Sequence, residues 1–104
     1  MENKISWSVN SEKSLEKIYN FIAQDSEIYA NKFISDLILT TEKRLIHQPQ
    51  IDRKVPEFRS SPLSFLRELI FKGYRIIYNS SDEEKTTIIA VVSGRMDIVK
   101  QISS

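Results

Sequence analysis

Phe65-Leu66-Arg67-Glu68-Leu69-Ile70-Phe71-Lys72-Gly73-Tyr74-Arg75-Ile76-Ile77-Tyr78 reads as two strands folded back on each other. The run from Phe65 to Phe71 is strand-like, Lys72-Gly73 offers a tight turn, and Tyr74 to Tyr78 is the return strand. Downstream, the polar run Asn79 to Lys85 is a second turn. Thr86 to Val92 is then rich in β-branched residues and almost continuously apolar, as a central strand is. Gly94 ends it. The tail from Met96 to Ser104 fits either a helical turn or a short edge strand.

Upstream of this three-strand meander the periodicity changes. Ile5, Trp7 and Val9 alternate with Ser6 and Ser8, the pattern of a half-buried strand. Asn10 or Ser11 can cap a helix whose stripe is Leu15, Ile18, Tyr19 and Ile22. Gln24-Asp25-Ser26 interrupts it. A second helix, from about Ile28 to His47, carries Ala30, Phe33, Ile34, Leu37, Ile38, Thr41 and Leu45 on one side, and Pro49 lies just past its end. So short a polar link predicts an antiparallel helix hairpin. Residues 48–64 hold three prolines and no clean period, so they read as a loop with a basic entry, Arg53-Lys54. The expected fold is α+β: an N-terminal strand, the hairpin, then the antiparallel meander, forming one sheet with the helices on one face. The 104 residues are expected to make one domain spanning 1–104.

Composition excludes several classes. With 40% apolar and 28% charged residues the chain is of the globular type. It has no cysteine and one histidine, which argues against zinc and rules out disulfides. Two glycines cannot form a nucleotide-binding loop. No metal and no cofactor are expected. The N-terminus has no apolar signal region and nothing has the length of a membrane span, so a cytoplasmic location without membrane contact is expected. The net charge is +1, but it is uneven: residues 1–52 carry six Lys/Arg and eight Asp/Glu, residues 53–104 nine and six. A phosphate-binding face would therefore lie in the second half. His47, at a helix end, reads as a carbonyl cap or a solvent-facing side chain.

The chemistry left is that of arginine. Arg67 and Arg75 fall inside strands and Arg95 directly follows one. A guanidinium in a sheet must either pair with an acid or present itself on a functional face. Arg67 and Arg75 could pair with Glu68, Glu57 or another acid on a neighbouring strand, and Arg67 leans to that structural role. For Arg75 both readings stand open. Phe65, Phe71, Tyr74 and Tyr78 could stack bases, but aromatics at strand spacing are more often core.

Several of these stretches, in this order, resemble the RelE/ParE toxin superfamily: the strand with Trp7, the helix hairpin, Pro49, and Asp-Arg-Lys-Val-Pro-Glu (52–57). Arg67-Glu68-Leu69, Lys-Gly-Tyr-Arg-Ile-Ile-Tyr (72–78) and Val-Val-Ser-Gly-Arg (91–95) continue the series. The resemblance implies the toxin of a bacterial type II toxin–antitoxin module, the kind also called plasmid stabilisation systems, neutralised by a cognate antitoxin wrapped over it. It leaves two targets open. RelE-like members cut mRNA in the ribosomal decoding site, whereas ParE-like members poison DNA gyrase. On the nuclease reading, Arg75 and Arg95 match the arginines placed around the phosphate and Glu57 matches a general base. Arg53, Lys54 and Arg67 are the candidate target-binding cations. Two departures favour the ParE side: Leu66 and Glu68 stand where RelE carries lysines, and the tail has no Tyr or His for proton transfer. A third reading is an inactive relative that still binds its antitoxin.

Overall fold

The computed structural model describes residues 3–50, 52–94, 98 and 102. Element order is β1 (Lys4–Trp7), α1 (Val9–Ala23), α2 (Glu27–His47), a short 3₁₀ turn (Pro56–Phe58), β2 (Arg67–Phe71), β3 (Tyr74–Asn79) and β4 (Lys85–Ser93). The four strands form one sheet in the order β1-β4-β3-β2. The meander β2-β3-β4 is antiparallel and β1 joins β4 in parallel, Lys4 opposite Lys85 and Trp7 opposite Ile88. The expected architecture is the observed one, with local corrections.

The largest correction is at the start of α1. The strand stops at Trp7, and Ser8, not Asn10 or Ser11, is the cap. Its hydroxyl accepts the Ser11 amide at 3.0 Å and donates to the Ile89 carbonyl at 3.1 Å, so the cap also ties α1 to β4. Val9, third in the expected alternation, sits in the first helical turn and is 69% exposed. Ser26 caps α2 by accepting the Tyr29 amide. In the β2–β3 turn, Lys72 (φ 44°) and Gly73 (φ 85°) both lie in the left-handed region, as a two-residue hairpin of matching twist requires.

Alternation along the strands sends side chains to two covered faces. Leu69, Ile76, Tyr78, Ile88 and Val91 meet Ile18, Phe33, Leu37 and Leu45 of the helices. On the other side, Leu66, Ile77, Ala90 and Val92 meet Val55, Phe58 and Ile98. The proline-rich segment is thus no mere connector. Val55 and Phe58 are buried core residues, Lys54 bridges to Arg67, and the Val55 amide donates to the Leu66 carbonyl. Phe65 is 39% exposed and precedes β2, whose first residue is Arg67. Of the tail, Ile98 is buried and Ile102 packs at the edge of the same cluster.

Candidate functional site

Arg75 and Ile77 lie two apart on β3 and point to the loop-covered face. Glu68, paired with Ile77 in register, points to the same face from β2. The 3₁₀ turn Pro56–Phe58, anchored by Phe58 in the core, hangs Glu57 above them. Three elements thus converge on one guanidinium. Arg75 donates from both terminal nitrogens to the two Glu57 oxygens at 2.7 Å, a bidentate fork, and from Nε to Glu68 Oε1 at 2.7 Å. The other Glu68 oxygen accepts from Arg53 Nε at 2.5 Å. Glu68 is 1% and Arg75 9% exposed, so a buried ion pair lies at the centre of the cluster, with the exposed Glu57 and Arg53 closing it on the solvent side.

Its electrostatics follow. The Arg75 guanidinium bonded to Glu57 holds that carboxyl well below the usual range, at about 2, against a smaller opposing effect of burial. Arg75 itself is shifted further up, first by Glu57 and then, against burial, by Glu68. A shallow cleft of about 330 Å³ opens beside the cluster, lined by Arg53, Pro56, Glu57, Ile70, Gly73, Arg75 and Gly94. Gly94 sits there because β4 must pass close to the turn: its amide donates to the Gly73 carbonyl at 2.9 Å.

The remaining candidates separate. Arg53 lines the cleft, exposed and with its Nε held by Glu68, and Lys54, next in the loop, is exposed but not part of the cleft lining. Arg67 points to the helix face and is occupied there: Nε donates to Gln50 Oε1 at 3.0 Å and Nη1 to the Asp52 carbonyl at 2.6 Å. Arg95 lies outside the described residues, so its convergence with Arg75 has no geometric account. His47 is exposed at the last position of α2.

A second polar group was missed in the sequence. The buried Asp52 carboxylate accepts from Arg44 at 2.8 Å and from the Tyr78 hydroxyl at 3.2 Å. Burial and the Asp52 charge push the Tyr78 phenol upward, so it acts as a fixed donor. The signal available was Asp52 itself, a charged residue just before a segment that must pack on the sheet.

The site thus sets one strand arginine, Arg75, against a loop-borne acid on a four-stranded sheet backed by a helix hairpin, a small α+β class of protein. The chain belongs to the ParE toxin family of type II toxin–antitoxin systems (parDE), whose sequence model spans residues 5–98. Solved structures agree on the fold. A chromosomal ParDE toxin–antitoxin system from P. aeruginosa is similar with a TM-score of 0.70 and 15% identity, covering 88% of this chain and 95% of that one. The toxin–antitoxin complex RelBE2 of Mycobacterium tuberculosis gives 0.66 and 13%, covering 89% and 99%. A double arginine-to-alanine mutant of the E. coli toxin RelE in the free state gives 0.65 and 17%, covering 98% and 94%. No curated protein matches the sequence. Identities this low speak to the fold alone.

Proposed function

We propose that this chain inhibits growth by binding DNA gyrase, without catalysing a reaction of its own, and that a cognate antitoxin neutralises it. The observation that carries the choice of gyrase over mRNA cleavage is the saturation of Arg75 by Glu57 and Glu68. Cleaving RNA through its 2′-hydroxyl needs a base to take the proton and unpaired cations for the crowded phosphate. A base works best with a pKa near the operating pH, and a carboxylate held at about 2 is a poor one. Leu66 and Glu68 in place of lysines weaken the nuclease case further. Arg53, exposed in the cleft wall, and the exposed Lys54 that follows it are assigned to target contact, with Arg67 holding the segment that carries them. The toxin–antitoxin systems among the structural neighbours support the antitoxin partner.

The test is a supercoiling assay with purified chain and gyrase. Inhibition by the wild type, weakened in Arg53→Glu/Lys54→Glu, is the expected result. Unimpaired supercoiling at saturating chain overturns it. The second reading, a ribosome-dependent nuclease, draws on the cleft that Arg53, Glu57 and Arg75 share, and requires the Glu57–Arg75 pair to open on substrate. New 5′ ends within codons of transcripts from induced cells, abolished by Arg75→Ala or Arg95→Ala, would establish it instead.

A further inference from the structure

Helix α1 is sorted by charge. Lys13 and Lys17 face β4, whereas Glu12 and Leu15 turn to the opposite side of the helix, toward α2. There they meet Trp7, Ile38 and Glu42 around an open hollow of about 340 Å³. Trp7, the last residue of β1, is half-buried against the helix-side core and forms part of the wall. Its indole N–H donates to Glu42 Oε2 at 2.9 Å, which ties the ring to α2. Among the described residues the Glu12 carboxylate has no hydrogen-bond partner, and neither glutamate has an ion-pair partner. No cation lines the hollow. One turn before each carboxylate, on the same helix face, stands an exposed apolar side chain, Val9 at 69% and Leu39 at 64%.

We infer that this hollow seats the arginine side chain of a partner protein, its guanidinium between Glu12 and Glu42 and against the Trp7 ring. Two carboxylates without a cation call for positive charge, so a nucleic-acid phosphate is the wrong sign for this place. Leu15 and Ile38 suit the methylene stem of a long basic side chain, whose head stays near water. A guanidinium fits better than an ammonium. It is planar, lies on an aromatic ring, and donates along several edges, so it can serve carboxylates that come from two different helices. A metal ion needs more donors: among the described residues no three acidic or imidazole groups gather closely enough to hold one. Val9 and Leu39 then meet apolar neighbours of the arginine on the partner. The seat lies on the helix side of the sheet, and the Arg53 cleft on the loop side, so this inference does not rest on the gyrase reading.

Trp7 is the only tryptophan, so its fluorescence reports on the hollow in the intact chain. The full chain is titrated with an acetylated, amidated Leu-Arg-Leu peptide, and with the same peptide carrying lysine or citrulline instead of arginine. Citrulline keeps the shape of arginine and loses its charge. The arginine peptide should give a saturable fluorescence change, the lysine peptide should bind more weakly, and the citrulline peptide should not bind. Glu12→Gln/Glu42→Gln should weaken the arginine peptide about tenfold, as the loss of two exposed ion pairs implies. Glutamine at position 42 can still accept from the Trp7 indole, and thermal melts keep folding defects apart from binding defects. Glu12→Gln alone, at an exposed position, should weaken binding about threefold. No saturable change, lysine or citrulline peptides that bind as well as the arginine one, or indifference to both variants overturns the assignment. Supercoiling is no part of the readout, so failure of the gyrase reading leaves this result standing.

Discussion

Glu68 is a costly residue to place, a carboxylate 1% exposed inside a small sheet. It is tolerated because Arg75 and Arg53 each donate to one of its oxygens. Breaking a buried pair by removing one partner leaves an uncompensated charge, worth about 3–5 kcal/mol. Arg75→Met should therefore lower the urea midpoint severely, and Glu68→Gln/Arg75→Met should recover most of the loss, because neither buried charge then remains. A double variant no more stable than the single one would contradict this account. Glu57 behaves differently, being 38% exposed. Its pKa is depressed in the folded chain, so the stability it confers is fully present above its ordinary value of 4.5 and disappears as pH falls toward about 2. In urea titrations across pH, wild type should exceed Glu57→Gln by a constant margin above about pH 5, and the two curves should merge between the two pKa values. A gap that persists at pH 2 would place the effect in packing instead of charge.

Elements were the most legible part of this chain, and the boundaries show what periodicity can and cannot see. The stripe Ala30, Phe33, Leu37, Thr41, Leu45 is the buried face of α2, because three- and four-residue spacing survives any packing partner. Lys72-Gly73 is legible as a turn because glycine is the residue that takes a φ of 85° without strain. Ser8 was missed as a cap since its role depends on where the strand ends, and Ile5-Trp7-Val9 continues the alternation past that point. Val55 and Phe58 went unread for the opposite reason: three prolines suppress any period, although each side chain has its own seat on the sheet. In the site, pairing of Arg75 with Glu57 and Glu68 was one of two open readings, and the choice depended on side-chain direction, which no spacing supplies. Two substitutions test the element ends. Ser26→Ala should cost about 1 kcal/mol by freeing the Tyr29 amide. Gly73→Ala should cost about 1–2 kcal/mol by putting a Cβ in the left-handed region, since nothing else crowds that site. Equal stability of Gly73→Ala and wild type in chemical denaturation would mean the turn changes conformation.

At the scale of the whole molecule, the sheet is a partition between two apolar layers of unequal origin. The helices supply one, a long loop and Ile98 the other. The loop layer looks dispensable, but Ile77, Ala90 and Val92 belong to the same strands as Ile76, Ile88 and Val91 of the helix layer. Opening one face exposes strands that the other needs, so the two layers should unfold together. The ion cluster strengthens this linkage, as Arg75 joins the loop's Glu57 to two strands. Ile98→Ala, at a 1% exposed position, should therefore cost about 2–5 kcal/mol, in the range of buried large-to-small changes. Leu37→Ala, fully buried on the helix face, should cost a similar amount. Both variants should unfold in one urea transition, with a slope unchanged from wild type and the same midpoint by tryptophan fluorescence and by far-UV circular dichroism. Trp7 packs against the helix-face core, so fluorescence follows that layer while circular dichroism follows the whole. If Ile98→Ala gave an early dichroism loss with Trp7 still in its folded environment, the loop face would be a separate folding unit.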